Sequence, residues 1–332
     1  MESTPVVLCG LGSWLPPIVV DNSGFVSPQT AAFIRRRMGI AQRHRVTPGT
    51  ATVHLAVQAG RRALASSGLD SAEALILATS TPERLCPAGA PEVATELGMT
   101  GIPAFDVSAG CSGFLYACEI ARGLLSARTV RSVLIVAAEI MSAFVNQADP
   151  QTAPLFGDGA GAAVLRAAEP TEKSTFGPAV WGSDGTLSDI LAIPAGGSRQ
   201  RVPVDGGGEL FLRMKGSHVL RNAVRRMSES VREAIASAGW DLRDVDVLLT
   251  HQANAAISHA VAAALDFPTA KMPSNIATVG NTAAASLPLL LTHAVADGTL
   301  NAGHRAVLVA FGSGLSWAAT TAVWPSGLSP HM

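Results

Sequence analysis

The stretch Asp106-Val107-Ser108-Ala109-Gly110-Cys111-Ser112-Gly113-Phe114-Leu115 decides how the rest of the chain is read. Ala104 to Val107 has the length and apolar character of a buried strand. The small residues after it make a tight turn, and a helix is predicted from Ser112 to about Leu125. That order places the Cys111 side chain on a sharp elbow at a helix N-terminus. The unpaired N–H groups and the positive end of the helix dipole there favour a thiolate over a thiol. Gly110 and Gly113 keep Cβ atoms away, so a substrate carbonyl could approach both the sulfur and the backbone amides. A free cysteine in a turn also serves as a small apolar packing residue, so the nucleophilic reading depends on the rest of the chain.

Before the elbow come a strand from Val6 to Gly12, ending in Gly10-Leu11-Gly12, a helix over Pro28 to Met38, and a helix from Thr50 to Ser67 closed by Gly68. The run ALILAT at 74–79 is a buried strand and Pro91 to Leu97 a short helix. After the elbow, Arg131 to Ala138 is a second buried strand. Phe156-Gly157-Asp158-Gly159-Ala160-Gly161 then reads as a Gly-rich turn leading into a strand at Ala162 to Leu165. The second half repeats this order. A long amphipathic helix from Gly216 to Ala238 precedes VDVLLT at 245–250, which parallels ALILAT. A helix over Ala255 to Leu265 and a loop feeding a helix over Asn275 to Leu291 follow. RAVLVA at 305–310, Phe311-Gly312-Ser313-Gly314 and a strand from Trp317 to Val323 complete the repeat. Strands alternating with helices imply an α/β fold with mixed sheets covered on both faces. The duplication implies two such sheets, with halves drawn at residues 1–170 and 171–332 and the break in the Gly/Pro-rich stretch 167–208.

With 332 residues, 48% of them apolar and 15% charged, the chain can build a deep core. Its formal net charge of −1 argues against nucleic acid as a partner. No apolar run of 18 residues exists, so no segment is expected to span a membrane. Cys9, Cys86, Cys111 and Cys118 form no CxxC pair and no ligand spacing, and no secretory leader is recognisable. The expectation is a cytoplasmic protein with reduced thiols and no metal site.

Three motifs fall at equivalent chain-end positions of the two halves: Cys111 at the elbow, His251-Gln252-Ala253-Asn254 directly after VDVLLT, and Val279-Gly280-Asn281-Thr282 at the second elbow. Ligands in open α/β sheets bind at the carboxyl ends of strands, so a Cys/His/Asn site is predicted there. Alone, a histidine after a strand is an ordinary hydrogen-bonding residue and Gly280-Asn281 an ordinary turn. In register across a duplication, the three form a constellation. The remaining histidines lack that context.

At these residues the chain resembles the β-ketoacyl-acyl-carrier-protein synthase III branch of the thiolase superfamily. Carrying the resemblance are Arg37-Met38-Gly39-Ile40 with Arg43-His44, the Cys111 elbow, FGDGAGAAVL at 156–165, His251-Gln252-Ala253-Asn254, GNTAAAS at 280–286 and FGSGLSWAA at 311–319. It implies a thiolase-like five-layered αβαβα fold, a homodimer with a tunnel partly closed by the partner subunit, and ping-pong acyl transfer. Cys111 would be acylated by an acyl thioester, with the amides of Cys111 and Ser313 as oxyanion hole. His251 and Asn281 would donate to the enolate of a malonyl-type thioester as it loses CO₂. Phe156, Phe311, Leu220 and Cys86 would shape the acyl pocket, Cys86 from the partner subunit. Phe33, Arg37 and Asn254 would hold coenzyme A or the carrier arm, and Arg221 and Arg225 an acyl carrier protein. No cofactor is expected beyond the thioester substrates.

Some positions depart from the family's pattern. The adenine-stacking Trp is Phe33, the Arg on its other side is Pro150, the Arg after the HQAN motif is replaced by Ala255-Ala256, and a pair of lysines by Ala263-Ala264. The pocket-capping Phe is Cys86, which implies room for an acyl group longer, branched or aromatic compared with acetyl. A specialised member of secondary metabolism is expected, either condensing or moving an acyl group to another carrier, hydroxyl or amine. A non-catalytic partner of a condensing dimer and a Cys/His/Asn hydrolase are the other readings. The first would usually lack Cys111, and the second is at odds with a narrow tunnel that excludes water.

Overall fold

In the computed structural model, residues 5–169, 172–173, 175–204 and 206–332 are described. The first half runs β1 (Val6–Trp14), β2 (Ile18–Asp21), α1 (Pro28–Met38), β3 (Gln42–Arg45), α2 (Thr52–Ser67), β4 (Ala74–Ala78), α3 (Ala90–Glu96), β5 (Ala104–Val107), α4 (Gly113–Ser126), β6 (Ser132–Ile140) and β7 (Asp158–Ala167). Five of its strands form one sheet in the order β1-β7-β6-β4-β5, with β4 parallel to both β5 and β6 and the remaining pairs antiparallel. Every residue of β6 is buried, which explains why its sequence is apolar without alternation: both faces are covered. Strand β5 differs from expectation. It is only half-buried along its length, because it is the edge of the sheet and one side of its backbone ladder is open.

The Gly-rich motif at 156–161 also differs from expectation. Strand β7 begins at Asp158, so Gly159 and Gly161 lie inside it rather than in a turn. Their purpose is close approach: a Cβ on Gly161 would sit 2.7 Å from the Pro288 Cβ and 2.9 Å from the Leu289 nitrogen. Gly10 and Gly12 do the same within β1, which continues to Trp14. Side chains there would meet α2 at 2.7 Å from the Ser67 Cβ and 2.8 Å from the Arg62 carbonyl carbon.

The second half runs β8 (Val180–Ser183), β9 (Leu191–Ala192), β10 (Arg213–Met214), α5 (Gly216–Ser237), β11 (Val247–Thr250), α6 (Ala255–Leu265), α7 (Ile276–Val279), α8 (Ser286–Ala296), β12 (Arg305–Gly312) and β13 (Ser316–Val323). Its sheet has the order β11-β12-β13-β8, with only β11 and β12 parallel. Strand β8 lies in the stretch read as irregular; four residues at a sheet edge, alternately half-buried and exposed, leave little periodic signal. All strands of the first sheet lie within residues 6–167 and those of the second within 180–323. The boundary drawn at 170/171 falls outside the described residues.

Helices α4 and α8 lie between the two sheets and share one core with their inner faces. Helices α2 and α3 cover the outer face of the first sheet, α5 and α6 that of the second. The result is five layers, αβαβα. Phe114, Leu115, Leu287, Leu290 and Leu291 of the middle layer are at most 1% exposed, and each such side chain contributes about 1.5–3 kcal/mol by leaving water. Pro288 is tolerated in α8 because the first turn has no intrahelical use for its missing N–H. Among the described residues no helix is long and apolar enough to cross a membrane.

Candidate active site

The two halves meet at a cavity of about 450 Å³ whose wall includes Cys111, His251, Asn281 and Ser313. Cys111 arrives from β5 through a single 3₁₀ turn, Gly110–Ser112, and α4 begins at Gly113 rather than at Ser112. Gly110 takes φ +53°, in the left-handed region that costs a side chain. The β12–β13 turn leans against this elbow. A Cβ on Gly110 would lie 2.7 Å from the Ser313 nitrogen, and one on Gly312 would collide with the Cys111 nitrogen. Hydroxyls stitch the two segments together. Ser112 Oγ lies 2.8 Å from Ser316 Oγ and donates to the Ala109 carbonyl at 2.7 Å; Ser316 Oγ reaches the carbonyls of Ala109 at 2.8 Å and Ser313 at 2.9 Å. The Ser313 backbone is thereby held against the Cys111 elbow.

His251 is carried out of the second sheet at the end of β11, where its N–H donates to the Val309 carbonyl at 2.8 Å. The next amide, Gln252 N–H, donates to Ser286 Oγ at 2.7 Å, and Gln252 Oε1 accepts from Ser274 Oγ at 2.6 Å. Nδ1 of the ring is sealed among protein atoms with no partner among the described residues, which leaves Nε2 to the cavity. Burial pushes the imidazole pKa down to about 3, so the ring is neutral at any working pH. Asn281 is locked by its backbone: its N–H donates to the Leu155 carbonyl at 2.9 Å and its own carbonyl accepts from Gly157 N–H at 2.9 Å. Its Oδ1 accepts from Ala283 N–H at 2.9 Å, which turns the Nδ2 donors toward the cavity. Ala283 holds φ +46°, a strained conformation for a non-glycine residue, next to this side chain.

Burial acts on the sulfur against the helix end. Cys111 sits at the inner end of the cavity, and its removal from water pushes the thiol up to about 12, with the nearby Glu139 carboxyl adding to the shift and a backbone hydrogen bond opposing it. The helix-end amides favour an anion, but desolvation outweighs them.

Phe156, Phe311, Leu220, Arg37 and Asn254 also line the cavity. Asn254 is in addition the N-cap of α6, its Oδ1 accepting from Ile257 N–H at 3.1 Å. The remaining expected binding residues lie outside the wall. Phe33 is half-exposed on α1, and Arg221 and Arg225 are on the solvent face of α5. Arg226 is engaged within the chain: its guanidinium stacks over Trp317 at 4.1 Å and faces Asp184 at 3.8 Å. Cys86 is exposed and forms no part of the pocket within one chain. Sequence reasoning missed Ser80, Thr81, Ser108 and Met141, which line the cavity, and Glu139 beneath it. The hydroxyl run Thr79-Ser80-Thr81 directly after an apolar strand was the available signal.

Comparison with known proteins follows the same geometry. Residues 105–185 match the family described as 3-oxoacyl-[acyl-carrier-protein (ACP)] synthase III, and residues 235–324 match its C-terminal part. The chain is 47% identical to β-ketoacyl-[acyl-carrier-protein] synthase III 3 of Streptomyces coelicolor, over 96% of this chain and 97% of the relative. It is 43% identical to β-ketoacyl-[acyl-carrier-protein] synthase III of Pseudomonas aeruginosa, over 96% of each chain. Among solved structures, the Pseudomonas aeruginosa 3-oxoacyl-(acyl carrier protein) synthase III superposes with a TM-score of 0.90 at 41% identity, covering 97% of this chain and 99% of the other. The priming β-ketosynthase of a polyketide biosynthetic pathway superposes with a TM-score of 0.90 at 32% identity, covering 98% and 97%.

Proposed function

The chain belongs to the 3-oxoacyl-[acyl-carrier-protein] synthase III family and is a condensing acyltransferase, and we propose that Cys111, His251 and Asn281 carry its two half-reactions. The observation that supports this assignment is the convergence of all three on one cavity, from both halves of the fold. In the first half-reaction Cys111 Sγ bonds to the acyl carbonyl carbon, the thioester C–S bond breaks, and the thiol proton leaves with the departing thiol. The tetrahedral oxyanion is met by the amides of Cys111 and Ser313. In the second, a malonyl-type thioester loses CO₂ and its electron pair moves onto the enolate oxygen. His251 Nε2–H and Asn281 Nδ2–H donate to that oxygen. The enolate carbon then attacks acyl-Cys111, a carbon–carbon bond forms, the carbon–sulfur bond breaks and the sulfur regains a proton.

A histidine depressed to about 3 is a weak base but a stable neutral donor. That argues for condensation over simple acyl transfer, which would ask His251 to deprotonate an acceptor. The acyl group is larger than acetyl, since Cys86 stands where the family's capping Phe is expected. The half-open edge of β5 supports a homodimer in which Cys86 reaches the partner's pocket. Arg221 and Arg225 are exposed on the solvent face of α5 and suit an acidic carrier protein. Arg37 and Asn254 at the cavity wall would meet the arm of the carrier or coenzyme A, with Phe33 nearer the surface. The enzyme works in the cytoplasm, where a nucleophilic thiol stays reduced.

Intact-mass measurement with a panel of acyl-CoA and acyl-carrier thioesters tests this. A single acyl adduct is expected on the wild type and none on Cys111→Ala, with CO₂ release when malonyl thioester is added. An adduct that persists until an alcohol or amine is supplied would overturn condensation, and one that water removes rapidly would indicate a hydrolase.

A further inference from the structure

Glu139 is the penultimate residue of strand β6, is fully buried, and has no part in the two half-reactions above. Its carboxyl is surrounded by donors. Thr81 Oγ1 donates to Oε2 at 2.7 Å, and Thr79 Oγ1 lies 3.3 Å from the same oxygen. Ser80 N–H donates to Oε1 and Oε2 at 3.0 and 3.1 Å, and Ala284 N–H reaches Oε1 at 3.4 Å. No cation among the described residues is paired with it. A buried carboxyl without a counter-charge is costly and calls for a reason.

The duplication supplies one. In the first elbow a residue at φ +53°, Gly110, opens a one-turn 3₁₀ segment; Cys111 is second in it and α4 follows. In the second elbow Ala283 at φ +46° opens the same kind of segment; Ala284 is second in it and α8 follows. Ala284 thus stands where the nucleophile stands in the other half. The end of β12 faces the first elbow with Gly312, which has no side chain and leaves the Cys111 amide open to a substrate oxygen. The end of β6 faces the second elbow with Glu139, whose oxygen takes the Ala284 amide. One notch is left open for a substrate's oxyanion, and its counterpart is filled by the chain itself.

We propose that the Glu139 carboxyl is the resident occupant of the second elbow's anion notch, and that by holding Ala284 it positions Asn281 for the decarboxylation step. The link is short: Ala284 N–H is bound by Glu139, and the preceding amide, Ala283 N–H, is what orients the Asn281 carboxamide. The two elbows also touch, since a Cβ on Gly113 would lie 3.5 Å from the Ala284 Cβ. Glu139 is therefore close enough to bear on the sulfur, in the direction of keeping Cys111 protonated. Glu139 is a positioning residue. The proposal rests on the role given to Asn281 above.

Glu139→Gln keeps the size and loses the charge, and presents an amide donor to a nest of donors. Burial pushes the Glu139 pKa up to about 7, so CO₂ release is compared at about pH 8.5, where the carboxyl is ionised; losing hydrogen bonds to that charged acceptor is expected to lower it about tenfold or more. Cys111 acylation stays within about threefold, and alkylation of Cys111 by iodoacetamide at alkaline pH becomes faster. A structural defect would lower all three together; a parallel fall, or no change in CO₂ release, overturns the proposal. Glu139→Asp keeps the charge but is one methylene short of Ala284. It should alkylate at the wild-type rate and release CO₂ at a rate between those of wild type and Glu139→Gln. If the glutamine variant does not fold, equal loss of acylation and CO₂ release in Glu139→Asp is the overturning result. A wild type that acylates but never releases CO₂ would instead remove the role of Asn281 on which this rests.

Discussion

At the scale of single residues, burial decides the chemistry. Burial pushes Cys111 up to about 12 and His251 down to about 3, both against a thiolate–imidazolium pair. Alkylation of Cys111 by iodoacetamide should keep rising with pH beyond about 10, where an ordinary thiol of pKa about 8.5 has levelled off. A plateau near pH 7 would show a preformed thiolate. The ring of His251, followed by NMR and assigned with His251→Asn, should show no titration step between pH 5 and 8. The sign for stability follows: its folded pKa lies below the ordinary 6.5, so the contribution is present above 6.5 and lost as pH falls toward 3, where the unfolded chain binds the proton first. Gly312→Ala should drive a methyl group into the Cys111 amide and lower acylation by ~10²–10³, the usual cost of one oxyanion donor. Cys111, His251 and Asn281 were legible because each sits in a motif at the end of a repeated element. Glu139 was not: it lies within the otherwise apolar run VLIVAAEI, and its partner Ala284 is 145 residues away along the chain. The burial that pushes the Cys111 thiol up was not legible, because the sequence reveals a helix end but not how far the sulfur is removed from water.

At the scale of elements, glycine carries two meanings that the sequence does not separate. Gly110 and Gly280 take positive φ in turns, whereas Gly12 and Gly161 take ordinary strand geometry and are small because a helix lies against them. Periodicity cannot tell these apart, which is why the motif at 156–161 looked like a turn. Gly161→Ala should therefore leave the local conformation allowed but force α8 away from the sheet. Overpacking of this kind costs ~1–3 kcal/mol, to be read by urea unfolding monitored by circular dichroism. An unchanged midpoint would mean that the helix–sheet distance is not set there. The long runs that became β4, β6, β11 and β12 were legible because burial on both faces demands unbroken apolar sequence. The short edge strand β8 had no such demand on it.

For the molecule as a whole, the pocket of one chain lacks the side chain expected to close it. Cys86 is on the surface of its own chain. If it reaches a partner's pocket, the protein should sediment as a dimer. Cys86→Phe should then shift acyl preference toward shorter groups by about tenfold, the discrimination one or two methylenes produce in an apolar pocket. Unaltered selectivity would place Cys86 away from the acyl chain. The two sheets were legible from the duplication and their five-layer stacking only from the family resemblance, whereas the assembly state lies in surfaces that hydrophobic patterning does not mark.

The helix sandwiched at the centre has a consequence for synthesis. Strand β7 ends at Ala167, but α8, which covers the inner face of the first sheet together with α4, ends only at Ala296. A ribosome adding ~5–20 residues per second needs roughly 6–26 seconds to bridge that interval. Throughout it, the nascent chain presents an oily sheet with half its cover missing. Trigger-factor-like holding of this intermediate should raise the yield of active enzyme, and synonymous codons that slow translation between residues 170 and 285 should lower it.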